Sequence, residues 1–251
     1  MTLVAHPWLV WPAVLLAGAL IGASGIGGVL LVPVLTRLGD VPLAQAIAAA
    51  SLGFALPALV ALRPLRRQPA LAARCLPLLA GALVGAGCGA VLVHRLPGGA
   101  LMVGVTALVL FAGVRGLLSA RAGASAVTAP PLGTGALLAL GVMVGVGSAL
   151  TGTGGPVLLL PLLLVLRQPV LLAVVAAQAI QLPVALASSA VHLAAGRLDL
   201  PLAALCGVLL LAGSLFGQRA AAGLDLQQLQ RMVSWLLLTV GGWFLWLLWL
   251  H

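Results

Sequence analysis

Apolar runs separated by short polar or proline-containing breaks dominate the chain. They cover approximately residues 8–36, 41–62, 75–93, 98–118, 132–166, 170–194, 200–219 and 232–250. A bilayer core about 30 Å thick needs roughly 20 apolar residues per helix, and most of these runs are near that length. The first and fifth are too long for one straight span, and each carries a glycine cluster. These clusters are Gly22-Ala23-Ser24-Gly25-Ile26-Gly27-Gly28 and Gly147-Ser148-Ala149-Leu150-Thr151-Gly152-Thr153-Gly154-Gly155. The pattern predicts an all-α integral membrane protein of about eight hydrophobic segments.

The clusters align as an internal repeat. Gly25, Gly27 and Gly28 match Gly152, Gly154 and Gly155 at an offset of 127, and Pro33 matches Pro161 at 128. The offset of 128 also pairs Gly85 with Gly213, Gly89 with Gly217, Leu96 with Leu224 and Gly113 with Gly241. Coincidence in a chain with 32 glycines is the competing reading, but order and spacing persist over a whole half. The predicted organisation is a first membrane repeat over 1–122, a linker over 123–131 and a second repeat over 132–251, each opening with a broken segment.

Duplicated, interrupted hydrophobic segments point to a transporter binding site. Glycine exposes backbone and proline lacks a donor, so the helix opens there. Freed N–H and C=O groups are costly in lipid and must face protein or a wet cavity. A half-helix starting after the break aims its N–H groups and positive dipole end at that cavity, which suits an anion. Gly25, Gly27, Gly28, Gly152, Gly154 and Gly155 are therefore expected to shape a substrate site, with Ser24, Thr151 and Thr153 as donors.

Arginines choose between two topologies. Eight straight crossings put seven arginines on one side and five on the other. If each long segment turns back at its glycines, as two arms of about 14 residues, each arm is roughly 21 Å long and too short to span. Three crossings then remain per half and the repeats become inverted. Arg63, Arg66, Arg67, Arg74, Arg115, Arg121, Arg167, Arg219 and Arg231 then share one side, opposite Arg37, Arg95 and Arg197. The positive-inside rule prefers this re-entrant arrangement, with both termini on the non-cytoplasmic side. No Arg or Lys precedes the first apolar run, so it lacks a signal peptide's basic n-region. Trp8, Trp11, Trp243, Trp246 and Trp249 then fit one interfacial belt.

Polar residues within the apolar runs narrow the site further. Gln178, Gln181, Ser188 and His192 fall at offsets 0, 3, 10 and 14, on one face of a helix. They either line a cavity or bond neighbouring helices. Gln178 and Gln181 are carried as substrate-binding candidates, and His192 as a candidate coupling residue. The corresponding stretch of the first half keeps only Gln45 and Ser51. Gly81, Gly85 and Gly89 form a small-xxx-small notch, read as close helix packing.

Composition excludes several classes. Of 251 residues 63% are apolar and 6% charged, against about 25% charged in soluble domains. The net charge of +9 lies in arginines scattered between apolar runs, not in a nucleic-acid groove. Asp40, Asp199 and Asp225 are the only acids and sit at segment ends, which argues against paired-carboxylate catalysis. Cys75, Cys88 and Cys206 lack metal-ligand spacing and read as packing residues. Neither a cofactor nor a metal is expected. The expected partners are a small anion, the lipid bilayer and, as an open possibility, a second copy of the chain.

One alternative comes from a different class. Gly22-Ala23-Ser24-Gly25 resembles the nucleophile motif of rhomboid intramembrane proteases, with Ser24 as nucleophile and His192 as an imagined base. Against it, Ser24 lies in the first apolar run, the second repeat has Leu150-Thr151-Gly152 there, and the chain has no asparagine. A carrier for a different small solute is the other alternative.

Gly25-Ile26-Gly27-Gly28 followed by Pro33, and Gly152-Thr153-Gly154-Gly155-Pro156 followed by Pro161, resemble the paired signatures of the TauE/SafE family of sulfite-exporter-like proteins. His192-Leu-Ala-Ala-Gly196-Arg-Leu-Asp199, then Gly213 and Gly217, is similar to that family's second-half pattern. The resemblance covers about residues 12 to 248. It implies a bacterial inner-membrane carrier, often assigned to sulfite, sulfonates or related sulfur-containing anions.

Overall fold

A computed structural model describes residues 4–24, 27–121 and 130–221, and further on residues 231, 234, 235, 238, 239, 241, 242, 245 and 246. Prolines and glycines set its helix boundaries. The helices are α1 (Pro7–Ser24), α2 (Gly27–Leu38), α3 (Leu43–Arg67), α4 (Pro69–Val93) and α5 (Gly98–Arg121), then α6 (Thr134–Thr151), α7 (Pro156–Val165), α8 (Leu171–Ala194) and α9 (Leu200–Ala221). The described positions between 231 and 246 are also helical. Strands are absent among the described residues. By length and composition five described helices can cross a membrane: α3, α4, α6, α8 and α9.

Each long apolar segment folds back on itself. The Ala5 N–H donates to the Gly39 carbonyl at 3.0 Å, so α1 and α2 begin and end together. In the second half Gln168 does the same work with its side chain. Its Oε1 accepts from the Leu132 N–H at 3.4 Å, and its Nε2 donates to the Pro130 carbonyl at 3.2 Å. The arms are unequal, which corrects the expected 14 residues apiece. Both α1 and α6 have 18 residues, about 27 Å at 1.5 Å per residue. The return arms are shorter: α2 runs from 27 to 38 and α7 has 10 residues. A helix tolerates isolated glycines, so α6 continues through Gly147. It stops at Gly152, whose φ of 64° makes it a left-handed cap with its N–H on the Ser148 carbonyl.

The second helix of each half is broken inside. Pro57 and Pro183 lack the N–H that would bond the carbonyl four residues earlier, and the breaks fall at Phe54 and Ile180. Pro42 and Pro169, 127 positions apart, start these helices with nearly the same dihedrals (φ −53°, ψ 136° and φ −51°, ψ 133°).

The two halves exchange partners. α1 packs along α9, whereas α6 packs along α4. A Cβ on Gly85 would collide with the Val142 carbonyl, and one on Gly213 with that of Leu15. Likewise Gly145 abuts Ala82, and Gly18 abuts Leu210. Residues equivalent by the sequence offset therefore make equivalent contacts, and the glycine notch is a backbone-to-backbone seam. One apolar cluster joins α1, α2, α9 and the start of α3; another joins α4, α6, α7 and α8. Opposite its seam, α4 turns outward Leu76, Leu83, Val84 and Val91, each at least 44% exposed. Such an apolar outer face is satisfied by lipid. Trp8, Trp235 and Trp246 are exposed as well.

Candidate functional site

The two glycine turns meet around Phe54. A Cβ on Gly28 would lie 3.0 Å from the Phe54 ring and 3.1 Å from the Thr153 carbonyl oxygen. From the other hairpin, a Cβ on Gly154 would lie 3.1 Å from the same ring. Gly152 abuts Val32 and Ile47, and Gly155, at φ 105°, abuts Ile180 and Ser148. The turn of each hairpin thus meets the broken point of a second helix. Phe54 is 1% exposed, and its ring occupies the space between the hairpins. Its equivalent in the second half, 127 positions on, is Gln181.

Polar groups at this junction come largely from the second hairpin. Thr151 Oγ donates to the Gly147 carbonyl at 2.7 Å, so Thr153 Oγ, 3.0 Å away, donates to Thr151. Both hydroxyl hydrogens are thereby held within the turn. No backbone acceptor is described for the amides of Gly154, Gly155 and Val157. Ser148 Oγ is buried without a partner, beside Gly155. α7 starts at this point, so its dipole adds to the same positive end.

The sequence-predicted residues are partly brought together. Gly27 packs back onto Ala17, Leu20 and Ile21 of α1, while Gly28, Gly152, Thr153, Gly154 and Gly155 reach the junction and Thr151 closes the turn. Ser24 ends α1, its side chain lies outside the described residues, and so does Gly25. Gln181 is buried and donates to Gln178 at 3.0 Å. Its neighbour Ile180 touches Gly155.

His192 lies elsewhere. It is fully buried near the end of α8, with Nδ1 3.2 Å from Nε2 of His94 at the end of α4. No hydrogen bond joins it to a serine: Nδ1 faces His94 and Nε2 has no partner. Burial first, and then the charge of Arg197, lower the proton affinity of His94 below the ordinary histidine range. Among the described residues no group of three or more His, Cys, Asp or Glu side chains is placed to hold a metal ion.

Phe54, Ser148 and His94 were not singled out by the sequence reading. Pro57 is the available signal for the break at Phe54. Ser148 stands inside the second glycine cluster, and His94 follows the notch helix, on the side to which the expected re-entrant topology would also bring His192.

Apolar outer faces, helices long enough to cross a bilayer and two inward-turned hairpins define a multi-pass integral membrane protein. Residues 10–244 match the family model described as Sulfite exporter TauE/SafE, and the chain belongs to that family of sulfite-exporter-like membrane transporters. Neither the curated proteins nor the solved structures contain a match.

Proposed function

We propose that the protein is a secondary carrier for a small anion of the sulfite or sulfonate class. It would work by rocking of one repeat against the other around the glycine junction. The observation that carries this reading is the meeting of both glycine turns at Phe54, beside the amides of Gly154, Gly155 and Val157, for which no backbone acceptor is described. Backbone amides at a helix start suit a tetrahedral or pyramidal oxyanion, because they donate without carrying a charge that must be desolvated. Phe54 fills this space in the closed junction, so admission of the anion involves displacement of its ring.

The membrane placement that accompanies this reading is re-entrant, in a bacterial inner membrane, with the nine-arginine side cytoplasmic and both termini opposite. The contact between His94 and His192 supports it. With eight straight crossings those residues would face opposite sides of a core about 30 Å thick; with two re-entrant hairpins they share a side.

Gly154→Leu tests the site. The side chain would enter the space held by the Phe54 ring, on a backbone whose φ of 79° disfavours any side chain. Exchange of radiolabelled sulfite and methanesulfonate in proteoliposomes is expected to fall at least tenfold while size-exclusion behaviour is kept. Undiminished exchange by a folded Gly154→Leu protein would overturn the site assignment.

A further inference from the structure

Two ionisable rings bridge the repeats, well away from the glycine junction. His94 follows the last turn of α4 in the first repeat, and His192 lies in the last turn of α8 in the second. The ring centroids are 5.0 Å apart and the planes nearly perpendicular, at 88°. The outer nitrogens, His94 Nδ1 and His192 Nε2, are buried without partners. Unsatisfied buried polar atoms are costly.

The geometry fixes the hydrogen count. Each neutral imidazole has one N–H, and one of the two contacting nitrogens must donate while the other accepts. Of the two outer nitrogens one therefore bears hydrogen and the other is bare, whichever tautomer pair is present. A proton arriving at the bare outer nitrogen makes that ring an imidazolium. The shared hydrogen then crosses to the second ring, and that ring releases the hydrogen on its own outer nitrogen. One proton has passed, and both rings are neutral with tautomers exchanged.

Inward from His192, the buried face of α8 continues through Ser189 and Ser188, one turn away, whose buried hydroxyls have no partners. Next come Gln181 and Gln178 beside the junction. Gln181 and His192 are 11 residues apart, about 16 Å along the helix. Other proton carriers are scarce: the chain has no Glu, Lys or Tyr. Asp40 and Asp199 lie in turns between helices, and Asp225 lies outside the described residues.

We propose that the His94–His192 pair is the proton-binding site of this carrier, set across the contact between its two repeats, so that anion movement is coupled to protons. This deepens the transporter reading above and rests on it. The pair keeps its hydrogen bond when neutral or singly protonated. When both contacting nitrogens carry hydrogen no acceptor remains, the like charges repel, and the clasp between α4 and α8 opens. The charged and titratable groups acting on His192 are His94, from α4, and Arg197, from the turn after α8. The other helices packed on this part of α8, α6 and the 43–61 portion of α3, carry no charged residue.

Two measurements on the full chain test this. In proteoliposomes, a single coupled proton shifts the accumulation ratio about tenfold per imposed pH unit. Methanesulfonate is the decisive probe, since its own charge does not change with pH. His192→Gln is expected to abolish the response to the gradient. Exchange by the unaltered chain that ignores an imposed gradient overturns the proposal, as does an undiminished response in His192→Gln. Spin labels at Val91→Cys and Leu193→Cys, both exposed positions, give a readout without substrate, on a background with Cys75, Cys88 and Cys206 replaced by Ala. Their separation is expected to widen between pH 8 and pH 4, and to stay constant when His94 and His192 are both Gln. If neither anion is exchanged the sulfur-anion reading falls, and the label distances alone decide the fate of the pair; distances blind to pH overturn it.

Discussion

Phe54 is the residue on which the junction turns, because both hairpins present a glycine to its ring. In soluble cores Phe→Ala costs about 3–5 kcal/mol through lost burial and the cavity left behind. Phe54→Ala is expected to lower the unfolding midpoint in detergent markedly, whereas Phe54→Leu, which keeps most of the volume, should cost less. Equal midpoints for the two variants would mean that the ring is not held as the structure shows. The hydroxyl pair offers a gentler probe. Thr153→Val is close in size but removes the hydrogen donated to Thr151, a net loss of about 0.5–1.5 kcal/mol, so a small but measurable midpoint drop is expected. His94 gives a pH dependence of known sign. Its affinity for protons is lowered in the folded chain, so the unfolded chain binds more protons near and below pH 6.5. Stability from this group is full above that pH and is lost as the pH falls through the lowered value. Midpoints measured from pH 7.5 down to pH 5 should decline, and His94→Gln should decline less.

At the scale of elements, the seam between α4 and α6 depends on glycines that touch carbonyls. Gly85→Ala would drive a methyl into the Val142 carbonyl, with no side chain there to move aside. Gly87, two residues on, has nothing within 4 Å of the position a Cβ would take. A severe loss of folded protein is expected for Gly85→Ala, whereas Gly87→Ala should be neutral or stabilising, by up to about 1 kcal/mol from helix propensity. Thermal shift in detergent separates the two, and similar behaviour would dissolve the seam. The contrast also shows what was legible in the sequence. Spacing at i, i+4, i+8 marked Gly81, Gly85 and Gly89 as a packing face, and Gly87 falls off that face by count alone. The spacing was legible for the same reason, since Gly85 and Gly213, 128 apart, and Gly18 and Gly145, 127 apart, make equivalent contacts. Arm lengths were not, because a glycine inside a helix and a glycine that ends one look the same until φ is known. Nor was Phe54, because what makes it central is that two distant hairpins arrive at one ring.

For the molecule as a whole, the decisive relation is which helix ends share a face, and only long-range contact reveals it. Arginine counting favoured the folded-back arrangement by 9 to 3, a statistical preference resting on loops. The hydrogen bonds from Ala5 to Gly39 and from Leu132 to Gln168 give that preference a mechanical basis, because each returns the chain to where its hairpin began. On the re-entrant placement proposed above, an odd number of crossings would follow each hairpin, and the second repeat would enter from the opposite side. This inversion leads to a labelling experiment. Single cysteines replacing Arg95 and Arg197 are expected to react with an impermeant maleimide from one side of sealed vesicles. Cysteines replacing Arg66 and Arg167 should react only after permeabilisation, or the reverse if the protein is inserted the other way. Reaction of Arg95→Cys and Arg197→Cys from opposite sides would restore eight straight crossings and separate the two histidines by a bilayer. The pattern needs no transported substrate, so it tests the frame on which both the anion site and the proton site are built.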